Sequence, residues 1–83
     1  MALNRRSFIG RVREVYRNAG GLWVAEVKTE EWGRLLCSLT IPGREISEDE
    51  QKLINEAKRL RGRLCLFEEK DGRIVNISPW EGS

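Results

Sequence analysis

One helix is signalled in this chain, with both ends marked, inside a sequence otherwise patterned for strands. Over residues 46–62, Ser47 is placed to cap the first turn, and Glu50 three residues later completes a capping box. Glu48, Asp49 and Glu50 put negative charge at the positive end of the helix dipole, and Lys58, Arg59 and Arg61 put positive charge at the other. Gly62 supplies the residue that stops the helix. Leu53, Ile54, Ala57 and Leu60 form one apolar stripe, so the helix covers a core with a single face.

Three strand-like runs precede this helix and two follow it. Residues 7–17 read as a long first strand in which Phe8, Gly10 and Val12 share a parity that Val15 breaks. A bulge near Arg13–Glu14 restores the face, and with it Ile9, Arg11, Arg13 and Tyr16 tend outward. Asn18-Ala19-Gly20-Gly21 is a turn. In the second strand, 22–29, Glu26 and Lys28 share parity with Leu22 and Val24, which sends Trp23, Ala25 and Val27 inward; the opposite phase exposes Trp23 as a platform. A turn at 30–33 carries Trp32, which is expected to be exposed. The third strand, 34–41, has a clean inner face of Leu35, Cys37, Leu39 and Ile41, with Arg34, Leu36, Ser38 and Thr40 outward. After the helix, residues 63–69 and 73–78 are two strands joined by Asp71-Gly72, a strong hairpin signal. Trp80 follows Pro79 and is placed to fold back over an open end. The expected core is Phe8, Val12, Val27, Leu35, Cys37, Leu39, Leu53, Ile54, Ala57, Leu60, Leu64, Leu66, Val75 and Ile77.

An 83-residue chain carries one small core, expected over 7–80, with 1–6 as a loose arm and 81–83 as a tail. No run of apolar residues reaches transmembrane length, and no signal segment is read at the start, so no membrane partner and a cytoplasmic location are expected. Cys37 and Cys65 lie within apolar runs and read as reduced core residues. The chain has no histidine, which removes His-based catalysis and the common zinc sites. It has no Gly-rich phosphate loop, and the adjacent Glu68 and Glu69 point to opposite faces of a strand. Neither an enzyme, a cofactor nor a metal is expected. Net charge is only +2, but residues 1–20 carry five arginines against Glu14 alone. That clustering suggests a localised anion-facing surface.

Over residues 7–80 the chain resembles OB-fold nucleic-acid-binding domains. The resemblance lies in the opening Phe8-Ile9-Gly10-Arg11-Val12, the Gly20-Gly21 turn, the second strand from Trp23 to Val27, the capped helix before strand four, and the closing Asp71-Gly72-Arg73-Ile74-Val75 hairpin. The opening is similar to that of anticodon-binding OB domains of some aminoacyl-tRNA synthetases and of small single-barrel translation factors. The resemblance implies an all-β fold with one helix: a five-stranded Greek-key OB-like barrel of order β-β-β-α-β-β, partly open, with the helix across its bottom. It also implies a ligand across the outer face of strands two and three, which marks Trp23, Trp32, Arg34, Leu36 and Ser38, with Arg11, Arg13, Tyr16 and Arg17 from strand one.

Two functions are expected from these residues. In the first, Arg11, Arg13, Tyr16, Arg17, Trp23, Trp32 and Arg34 bind single-stranded or structured DNA or RNA, the arginines holding phosphates and the rings stacking on bases. The alternative reads the arginines as solvated edge charge. The chain is then a protein-interaction or self-assembly module, with an apolar patch of Leu36, Trp32 and either Leu22 or Trp23.

Overall fold

The computed structural model describes residues 5–81. Residues 1–4 of the expected arm, and Gly82 and Ser83 of the expected tail, lie outside them. The elements run β1 (Arg5–Arg17), β2 (Trp23–Thr29), β3 (Gly33–Ser38), α1 (Glu48–Arg59), β4 (Leu64–Lys70) and β5 (Arg73–Pro79). All five strands belong to one sheet. It closes in a ring in the order β1-β2-β3-β5-β4, with β4 returning to β1. The pairs are antiparallel except β3 with β5, which meet in parallel at Ser38 and Arg73.

The first strand serves two partners. Residues 5–11 pair with β4, and residues 11–17 pair with β2. Arg5 and Arg6, expected in the arm, are thus part of β1. Within the half paired to β2 the register slips at Arg13, where the broken parity places a bulge; Val12 is fully buried and Val15 packs on the core. At Gly10 the backbone approaches β2 so closely that a Cβ would lie 2.5 Å from Val27 Cγ1.

Ser47 caps α1 and the capping box with Glu50 is complete. Ile54, Ala57 and Leu60 are fully buried, while Leu53 packs on the cluster from its edge. The far end is clamped to β1. Gly62 takes a left-handed conformation (φ 87°), its N–H donates to the Val12 carbonyl at 2.8 Å, and Arg11 donates to the Gly62 carbonyl at 2.6 Å.

Glu50 does more than close the box. Its carboxylate is 3% exposed and accepts from the Ser47 and Ile41 N–H groups, both at 2.9 Å, with Arg44 at 3.4 Å and Arg73 at 3.8 Å. Burial opposes its ionisation. The N–H donors of Ser47 and Ile41, the Ser47 hydroxyl and the Arg44 guanidinium outweigh that, so its pKa falls below the ordinary 4.5. One side chain therefore ties the helix start to the end of the third strand's run and to β5.

Three expectations about the core need correction. The third strand leaves the ladder at Ser38. Leu39 is still buried, but Ile41 is exposed and Thr40 turns inward, where its hydroxyl accepts from the Trp23 N–H. In β4 the buried residues are Cys65 and Phe67, not Leu64 and Leu66. Both parities are apolar there, and the larger Phe67 ring takes the interior, stacked on Phe8 at 5.1 Å. In β5 the buried residues are Ile77 and Ile74. A register shift pairs Glu68 with Asn76 but Glu69 with Ile74, leaving Val75 as the extra, half-buried residue.

Candidate nucleic-acid interface

The outer face of β1–β2–β3 is ordered by cross-strand register. Arg11 stands opposite Lys28, and Lys28 opposite Arg34, so three cations form a row across three strands. Like charges directly opposite one another destabilise a sheet. The row is only partly compensated. Arg34 reaches Glu26 at 3.4 Å, whereas Lys28 makes no ion pair among the described residues. Arg13, at the bulge beside this row, makes none either. The next row up is Glu14, Glu26 and Leu36. Glu26 is held by Arg34, and Glu14 by Arg61 at 3.6 Å. Leu36 is 65% exposed. Beyond it lies a row of Tyr16, Val24 and Ser38, in which Val24 is buried.

The expected binding residues therefore do not act as one cluster. Arg11, Arg13 and Arg34 come together, joined by Lys28, which the charge clustering in the sequence did not single out. Tyr16 is exposed but sits two rows away, beyond Glu14 and Glu26. Arg17 is engaged with the first turn, its Nε donating to the Gly21 carbonyl at 3.2 Å. The ambiguous Trp23 takes the inward phase. It is half-buried against the core, and Lys58 Nζ lies 4.6 Å from its ring centroid on the helix side. Trp32 is 43% exposed and fixed in place: its ring meets Phe8 edge-on at 5.8 Å, and the Arg6 guanidinium lies 4.9 Å from its centroid. Arg6 is in turn paired with Glu69.

Two hollows border this face. The larger is an open groove of about 1000 Å³, at the top of the range for ligand sites. It opens where β1 leaves β2 for β4. Its lining includes Ile9, Leu64 and Leu66, the two tryptophans Trp32 and Trp80, and the cations Arg11, Arg13 and Lys28. Trp80 is held by its N–H to the Leu64 carbonyl at 3.0 Å. No strand pattern could have exposed this groove, because it depends on which half of β1 pairs with which neighbour. The smaller, about 530 Å³, lies between Leu22, Ser38 and Thr40 and the β4–β5 turn with Lys70 and Arg73.

Both cysteines are buried, which disfavours the thiolate form. Burial pushes the Cys37 thiol up to about 11, with Glu69 adding to the effect and Arg6 opposing it. Burial also raises Cys65. Both thiols are free. Among the described residues no group of three His, Cys, Asp or Glu side chains could hold a metal, and no helix is long and apolar enough to cross a membrane. Comparison with protein families, with curated proteins and with solved structures returned no match.

Proposed function

We infer that this chain is a nucleic-acid-binding module of the OB-like type, a small Greek-key barrel that holds a single strand of DNA or RNA against its outer face. The architecture supports the reading through its ring order β1-β2-β3-β5-β4 and through the placement of its one helix between β3 and β4. The observation that carries the function is the row Arg11–Lys28–Arg34 with Arg13 beside it. A sheet that sets three cations in register bears a repulsion that a line of phosphates relieves. Arg11 is already oriented by Gly62, so a phosphate meets a guanidinium whose freedom is partly spent.

The test is a titration with single-stranded DNA, single-stranded RNA and duplex, followed by tryptophan fluorescence at low and moderate salt. Binding that prefers a single strand and weakens steeply with salt is the expected result. No binding to any of the three at low salt refutes the reading. A second reading, self-association or a protein partner, is favoured by Leu36, which stands 65% exposed on the middle row of the same face. Sedimentation across a range of protein concentrations separates the two, since self-association requires a mass that grows with concentration.

A further inference from the structure

We propose that the groove between Trp32 and Trp80 receives unpaired bases of the same strand whose phosphates lie on the cation row. The inference rests on the nucleic-acid reading above and adds a base-holding site to it. Three observations lead there. First, the next row of the β1–β3 face, Glu14, Glu26 and Leu36, offers a phosphate no cation of its own, and its two carboxylates are already engaged with Arg61 and Arg34. A strand lying on Arg11, Lys28 and Arg34 is therefore turned away from Tyr16 and towards the other side of the row. Second, that other side is the groove, and Arg11 and Lys28 belong to both. Third, its surface suits bases. Ile9 and Leu64 are exposed aliphatic side chains on the outside of paired strands, with Leu66 between them and Trp80 (39% exposed) beside them.

The Trp32 ring is held from behind. Arg6 covers it and does not line the groove, and Phe8 meets it edge-on. A ring fixed in this way loses little freedom when a base stacks on it. Glu30 and Glu31 also line the groove, on the Trp32 side. They repel phosphates, so the backbone keeps to the side of Arg11, Arg13 and Lys28 and the bases point across the groove.

The experiment compares an ordinary single-stranded oligonucleotide with an abasic sugar-phosphate strand of the same length, on the full chain and on Trp80→Ala and Trp80→Phe. The ordinary strand should bind more tightly by about 5- to 150-fold for each base stacked. Trp80→Ala should lower it towards the abasic value, and Trp80→Phe should retain most of the preference. Methyl resonances of Ile9, Leu64 and Leu66 in the unmodified chain should shift with the ordinary strand and not with the abasic one, a readout independent of how the variants fold. Equal binding of both strands, or silent methyls, overturns the groove while leaving the cation row standing. Failure of both strands to bind at low salt overturns the groove and the cation row together. A groove covered instead by a second copy of the chain would appear as concentration-dependent sedimentation of the free protein, and that too overturns the proposal.

Discussion

The cation row makes a quantitative claim about salt. When a protein neutralises Z phosphates of a single strand, log K falls with log salt at a slope of about −0.7Z. Arg11, Arg13, Lys28 and Arg34 together give a slope of about −2.8, so affinity falls by about 50-fold between 50 and 200 mM salt. The informative perturbation is Lys28→Ala with Arg34→Ala. Both side chains are exposed, and neither holds the fold as Arg11 does through the Gly62 carbonyl. Arg34 contributes only a surface pair to Glu26, worth about 0–1 kcal/mol of stability. The double variant should stay folded, and its slope should drop to about −1.4, a loss of about 7-fold over the same salt range. The assay is fluorescence anisotropy of a labelled single strand at several salt concentrations, with a thermal melt to confirm folding. A folded double variant with an unchanged slope would mean that phosphates sit elsewhere, and the reasoning from register would be wrong. Arg59 is a poor substitute site, because its guanidinium is already bonded to Glu56 at 2.7 and 3.0 Å.

Two further predictions concern the frame that holds the row. Gly10→Ala should destabilise, because the added Cβ lies 2.5 Å from buried Val27 Cγ1 and 3.1 Å from the Lys28 carbonyl. Overpacking costs about 1–3 kcal/mol and reduced freedom of the unfolded chain returns about 0.4–1. A Tm about 5–15 °C lower is expected by calorimetry, and a Tm at or above that of the parent contradicts the packing argument. Glu50→Gln should cost about 1–3 kcal/mol at neutral pH, because a buried acceptor of two N–H groups loses its charge. The folded-state pKa of Glu50 is depressed, so its stabilisation is present above the ordinary 4.5 and is lost as pH falls through the lower folded value. Urea unfolding should thus show a gap between parent and variant at pH 7 that narrows under acid, and an equal gap at both pH values would rule the linkage out.

What could be read from the chain follows the range of the physics involved. The start of the helix was legible to its cap, since Ser47, Glu50 and the acidic first turn act within a few residues; its end was not, because the C-cap is Leu60, two residues before the expected Gly62. The bulge in β1 was legible because a parity break is itself local. The Asp71-Gly72 turn was legible because both residues adopt positive φ, 52° and 81°, which few pairs tolerate. The phases of β4 and β5 were not. Leu64-Cys65-Leu66-Phe67 is apolar on both faces, and the Val75 slip has no mark of its own in Ile74-Val75-Asn76-Ile77.

The candidate site lies at the far end of that range. Arginine clustering drew attention to Arg11 and Arg13, but Arg17 belongs to the same cluster and is engaged with the first turn. Arg34 was marked by the resemblance, whereas Lys28 joins the site only through pairing across strands, and Trp80 joins it only because β1 changes partner at Arg11. The change of partner at Arg11 also explains why row and groove adjoin. Among the described residues Arg11 is the one paired to both β2 and β4, so it is the last cation of the row and the first residue beside the apolar floor at Leu64. A strand bound there meets charge on one side of a single backbone position and apolar surface on the other.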